Sequence, residues 1–186
     1  MIDGTGVEYL FQVEKMVSGV RRSVKVTAVD PHLVTWYGPE SVQSPVREKQ
    51  AKQVLEFADN FSKSYRTDLI IVAGDLNSTP TSPVYSLFQS LTDSLVAGLG
   101  TGSLAAPEHA TWGQASNTYT GPGGVQHDGH TDRIDYIFYG VKETGRVKSV
   151  ETVQYETIKQ FTEKSDGSKI SLSDHDWIEA TIKLNF

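Results

Sequence analysis

Residues 67–80 read TDLIIVAGDLNSTP, and this stretch sets the architecture. Leu69 to Ala73 is a short, unbroken apolar run, which predicts a strand covered on both faces. It stops abruptly at Gly74-Asp75-Leu76-Asn77, where a carboxylate and an amide follow directly on a dry strand. An Asx-type turn closing the strand is one reading; a pair of functional side chains delivered by the strand end is the other.

Three further stretches share this design. VDPHL (29–33) ends a strand on His32, RIDYIF (133–138) carries Asp135 within a strand, and LSDHDW (172–177) opens the final strand with Asp174, His175 and Asp176. Burying a charge costs several kcal/mol unless it is paired or metal-bound. Asp135 lies on the same strand face as Ile137 and therefore needs a partner, for which a histidine is suited. Four such stretches in one chain point to a site.

The intervening sequence predicts the scaffold. Val7, Tyr9, Phe11 and Val13 alternate with polar residues, Ser18-Gly19 is a turn signal, and Val24, Val26 and Ala28 resume the period of two, so the first thirty residues form a β-hairpin. Ser44 and Pro45 mark a helix start, and Ala51, Val54, Leu55, Ala58 and Phe61 form its apolar face. Ser82 and Pro83 start a second, short helix. Residues 98–132 show no periodicity and are rich in Gly, Thr, Ser and Asn, which predicts a functional loop or a poorly ordered one. In RIDYIFYG (133–140), Ile134, Tyr136 and Phe138 share one face and Asp135, Ile137 and Tyr139 the other. A strand follows over Val147–Tyr155, and the last turns Ile178, Ala180, Ile182 and Leu184 inward. No repeat or linker interrupts the chain, so residues 1–186 are expected to form one α+β domain with two packed sheets.

The 186 residues contain no cysteine, which removes disulfides, thiolate metal sites and a cysteine nucleophile. The formal net charge of -6 weighs against a protein that grips long nucleic acid through Lys and Arg. No apolar run is long enough to span a bilayer, and no signal peptide opens the chain.

Taken in order, DPHL, REKQAKQVLEF, IIVAGDLNSTP, DRIDYIFY and LSDHDWIEATI resemble the successive signatures of the endonuclease/exonuclease/phosphatase superfamily, over essentially the whole chain from Val7. Within it, SNTYT (116–120) and VQYETIKQF (153–161) are most similar to the neutral sphingomyelinase branch. The resemblance implies a two-sheet αββα sandwich and a metal-dependent phosphodiesterase acting on a membrane phospholipid, with a nuclease or DNA-repair phosphodiesterase and a non-catalytic member as alternatives. His175 becomes the general base, an unperturbed imidazole being suited to neutral pH. Asp135 fixes its tautomer, Asp75 orients the water or approaches the metal, and Asn77 and His32 donate to phosphoryl oxygens. Asp174 is the metal ligand, for Mg2+ or alternatively Mn2+. The expected setting is intracellular and peripheral to membranes.

The chain departs from the family pattern at its start. The early Asn and the metal-binding Glu of the superfamily are not found; Glu14 of FQVEK (11–15) belongs to the hairpin. The domain is therefore expected to be N-terminally incomplete, with weak activity alone and with apolar sheet edges and faces uncovered. HDGHTD (127–132), with His127, Asp128, His130 and Asp132, is read as solvated loop. Trp112 and Tyr119 are lesser candidates for substrate contact, and Asp176 is expected to face solvent.

Overall fold

The computed structural model describes residues 6–35, 40–104, 106–114, 117–118, 131–159 and 161–186. The hairpin forms as expected. Strands β1 (Gly6–Val17) and β2 (Val20–Pro31) pair antiparallel from Gly6↔Pro31 to Val17↔Val20. Ser18 and Gly19 both have positive φ (50° and 78°), as the twist of a two-residue hairpin turn requires.

Helix α1 (Glu40–Tyr65) begins four residues before the expected cap at Ser44, and Pro45 lies inside it. Pro45 is close enough to the helix start that its missing N–H costs a single intrahelical bond. The predicted face is correct: Ala51, Val54 and Ala58 are buried, with Leu55 packed beside them.

Strand β3 (Leu69–Asp75) runs parallel to β2 and antiparallel to β5 (Asp135–Val141). Between them in sequence come α2 (Pro83–Leu87), capped by the Ser82 hydroxyl, then β4 (Thr92–Asp93) and α3 (Ser94–Leu99), capped by Asp93. Neither β4 nor α3 was expected. The first sheet has the order β1-β2-β3-β5-β4. A second sheet pairs β6 (Ser149–Ile158) with β9 (Trp177–Asn185), and β7 (Phe161–Glu163) pairs with β8 (Lys169–Ser171) in a small separate hairpin. Val147 lies just before β6 rather than within it.

Two cores flank the first sheet, so β3 is indeed covered on both sides. Ile70, Val72, Tyr136 and Phe138 pack toward α1 and α2. Leu69 and Tyr139 pack with Val24, Val26 and Val147 toward Val150, Ile182 and Leu184 of the second sheet. This is the α+β, two-sheet architecture of the αββα sandwich.

The second sheet covers only part of the first. Val24 is 1% exposed, whereas Val13, its direct partner on β1, is 52% exposed. Val7, Tyr9 and Phe11 on the same face are similarly open, and β1 is an edge strand. Ile178, Ala180, Ile182 and Leu184 alternate as expected but are half-buried rather than dry, because among the described residues only β6 pairs with β9.

Candidate active site

The site lies where three strands of the first sheet end together. The parallel register of β2 and β3 carries His32 into a bridge with Asp75, and the antiparallel register of β3 and β5 sets Asp75 opposite Asp135. By the period of two, Asp75 lies on the face of Leu69 and Ile71, and Asp135 on that of Tyr139, both toward the second sheet. His175 lies two residues before β9 of that second sheet, and reaches across to the same rim.

There His175 Nδ1 and Asp135 Oδ2 are 2.8 Å apart. Burial opposes the imidazolium, but the hydrogen bond and negative charge of Asp135, with Asp75 and Asp174 nearby, push the His175 pKa up to about 9. This corrects the expectation of an unperturbed imidazole: three carboxylates surround it.

Asp75 is tied to its own turn. Oδ1 accepts the Asn77 amide at 2.6 Å and Oδ2 the Asn77 side-chain amide at 2.9 Å, while Asn77 Nδ2 also donates to the Leu33 carbonyl at 2.9 Å. Asn77 holds this geometry at φ 46°, a left-handed conformation that Asn tolerates. The Asx turn and the functional pair are thus the same structure. His32 Nε2 stands 3.5 Å from Asp75 Oδ2, with its side chain exposed. Burial, and then the charge of Asp135, raise the Asp75 pKa to about 6.

Asp75, Asp135 and His175 offer ligand atoms that all lie within 4.8 Å of one another. Burial and the mutual repulsion of the two carboxylates disfavour the ionised form of Asp75, a penalty that a hard dication would relieve. Oxygen donors with one imidazole fit Mg2+ or Mn2+. Asp174 lies beside this group but not in it; its Oδ1 accepts the Ser173 hydroxyl at 3.3 Å. Of the six residues expected to form the site, His32, Asp75, Asn77, Asp135 and His175 therefore converge, with Asp174 adjacent in sequence.

Glu14 is remote. It pairs with Ser23 near the turn end of the hairpin and stands 3.5 Å from Arg21, while His32 lies beyond the other end.

Asp176 does not face solvent as expected. It is 5% exposed, its amide donates to the Thr111 carbonyl at 2.9 Å, and Oδ1 accepts from Asn117 at 3.3 Å. The partner comes from the long loop, which no periodicity could place. Trp112 of that loop meets the His175 ring edge-on, with centroids 5.1 Å apart. Asp132 pairs with Trp112 in an isolated bridge rather than standing free in solvent. Tyr119, His127, Asp128 and His130 lie outside the described residues.

Two partly stacked sheets that bring an acid–imidazole pair and a second carboxylate to one rim define the class of αββα sandwiches with a polar site at the strand ends. The sequence matches the model described as the Endonuclease/Exonuclease/phosphatase family over residues 15–175, and the chain belongs to that family. No curated protein sequence matches it. Among solved structures, TDP2 of D. rerio complexed with a single-strand DNA product is 20% identical with a TM-score of 0.61, covering 95% of this chain and 62% of that one. Beta toxin of Staphylococcus aureus is 20% identical with a TM-score of 0.55, covering 94% and 57%. Mannosyl-6-phosphatase Bt3783 of Bacteroides thetaiotaomicron VPI-5482 is 17% identical with a TM-score of 0.54, covering 89% and 52%. The chain thus spans half to three-fifths of the length of these structures, which share its fold.

Proposed function

We propose that the site hydrolyses a phosphodiester with the help of a divalent cation, Mg2+ or Mn2+. The observation that carries this reading is the 2.8 Å contact of His175 with Asp135 beside a second carboxylate, Asp75, whose pKa is raised to about 6. Asp75 with its neighbours Asp135 and Asp174 would hold the cation, which when bound supplies positive charge to the phosphoryl oxygens. Asp135 orients the imidazole, and His175 in its neutral form takes the proton of the attacking water. His32 donates a hydrogen bond to the oxygens on which charge develops; both Asn77 side-chain N–H groups are held by Asp75 and the Leu33 carbonyl, so Asn77 would join it only by giving up its bond to Asp75.

The substrate we favour is a membrane phospholipid, with sphingomyelin cleaved to ceramide and phosphocholine. The net charge of -6 and the resemblance carried by residues 116–120 and 153–161 support it. The likeness to TDP2 in complex with DNA supports a nuclease as the second reading. We further propose, from the open face of Tyr9, Phe11 and Val13 and the half to three-fifths of the matched structures' length that the chain spans, that the domain is N-terminally incomplete. The chain alone would then be weakly active.

The test is hydrolysis by the purified chain of sphingomyelin vesicles and of single-stranded DNA, in parallel, with Mg2+ or with chelator. Metal-dependent release of phosphocholine that His175→Ala abolishes supports the first reading, and metal-dependent cleavage of DNA the second. Turnover of either substrate unchanged by chelator or by His175→Ala would overturn the assignment of the site.

A further inference from the structure

We propose that Thr111 is the positioning residue that sets the Asp135–His175 contact, by joining the strand that carries the acid to the loop that carries the imidazole. This rests on reading Asp135 and His175 as the acid–base pair of the site.

The two side chains arrive on different sheets. Asp135 opens β5, which is hydrogen-bonded to β3 and β4, and His175 precedes β9, which is hydrogen-bonded to β6. Among the described residues no strand ladder connects these sheets. Apolar packing alone is non-directional and does not fix a contact between polar atoms.

Thr111 supplies the missing directional link. It is fully buried, and its Oγ1 accepts the amides of both Ile134 and Asp135 at 3.2 Å. Its carbonyl accepts the Asp176 amide at 2.9 Å, and its own amide donates to the Asp132 carbonyl at 3.0 Å. One residue thus grips the backbone of the acid itself and that of the residue after the imidazole. A threonine hydroxyl offers two lone pairs, as two converging amides require; valine has the same shape and offers none.

The rest of the segment acts in the same sense. Asn117 Nδ2 donates to the Ser173 carbonyl at 3.1 Å and to Asp176 Oδ1, and so spans the turn that presents Asp174 and His175. Thr118 and Ser171 exchange bonds from amide to hydroxyl at 3.0 and 2.9 Å. Thr111, Asn117 and Thr118 therefore hold the histidine loop, and Thr111 holds β5 as well.

The alternative is that Thr111 merely stabilises the fold. Its effect would then appear in melting temperature and not in the acid–imidazole contact of the molecules that stay folded. The test is proton NMR of the intact chain, following the downfield ring N–H signal of His175, assigned by its loss in His175→Ala and in Asp135→Asn. Thr111→Val is expected to abolish or shift this signal in folded protein, and Thr111→Ser to restore it. Should Thr111→Val not fold, Asn117→Ala releases the same loop from its other end, with the same loss expected. A wild-type signal kept in Thr111→Val, or in Asn117→Ala where that is the variant that folds, overturns the clamp alone. Absence of any such signal from the wild-type chain overturns the pair and the clamp with it.

Discussion

Asp75 and Asp135 are cross-strand partners on β3 and β5, so two carboxylates lie side by side at the end of an otherwise dry sheet. Like charges directly opposite each other destabilise a sheet, and here they are retained. The imidazole of His175 offsets one of them, and burial, with the charge of Asp135, raises the pKa of the other, Asp75, to about 6, so that it still carries its charge at neutral pH. This concentration of negative charge sets the rim apart from an ordinary strand end, and its consequences can be measured.

Removing the acid should release the imidazole. The hydrogen bond and charge of Asp135 outweigh burial in raising His175 to about 9. In Asp135→Asn the His175 pKa is expected to fall by at least one unit toward its ordinary value, followed by NMR titration of the ring protons. A pKa left near 9 would show that Asp135 is not the cause. Because the base must be neutral to accept a proton, hydrolysis by the wild-type chain should rise with pH until His175 is deprotonated, a limit that bound cation moves below the value of about 9 for the metal-free site.

The same groups give stability an uncommon dependence on pH. Both folded-state pKa values are raised, to about 6 for Asp75 and about 9 for His175. A raised group stabilises the fold below its unfolded pKa and loses that contribution as pH rises through its folded value. Stability contributed by Asp75 should therefore fall between about pH 4 and 6, and that from His175 between about pH 6.5 and 9. Urea unfolding at fixed salt should show the second decline in wild type and a flattened one in Asp135→Asn. A rise of stability across the upper window would contradict the assignment.

The pair Asp93–Arg133 also anchors the chain where it enters β5. Arg133 Nη1 and Nη2 donate to the two Asp93 oxygens at 2.8 Å each, and Tyr85 adds its hydroxyl at 2.9 Å. The pair is almost completely buried. Removing one partner leaves an uncompensated charge, so Arg133→Met is expected to cost about 3–5 kcal/mol in urea unfolding. The double replacement Asp93→Leu with Arg133→Met should cost less than the single one.

Gly74 allows β2 to approach β3 just before the site. A Cβ there would stand 2.2 Å from the Pro31 carbonyl oxygen and 2.7 Å from Asp30 Oδ1. Gly74→Ala must push the end of β2 away and His32 with it. The expected result is a loss of melting temperature together with a shift of the His32 ring resonances; an unaltered His32 spectrum would contradict it.

Much of this was legible in the sequence, because strand and helix periods are local. The hairpin, the face of α1, the both-sides burial of β3 and the alternation of β5 all follow from spacing. The pairing of Asp135 with a histidine follows from the cost of a charge within a strand. The start of α1 was missed because proline also fits the early turns of a longer helix, and β4, α3 and the β7–β8 hairpin are too short for periodicity to register. Asp176 was misread because its partner Asn117 lies 59 positions away. Thr111 carries no local signal: its role exists only once the two sheets are stacked.

The central claim is that Asp75, with Asp135 and Asp174 beside it, takes up a hard dication at the rim where His175 acts as base. The most direct measurement is a titration of the intact chain with Mg2+ near pH 7, recording heat and proton release together. Binding should be saturable and expel protons, since added positive charge lowers the raised pKa values of Asp75 and His175, and both the heat and the protons should diminish in Asp75→Asn. No saturable binding, or binding untouched by Asp75→Asn, would contradict the account.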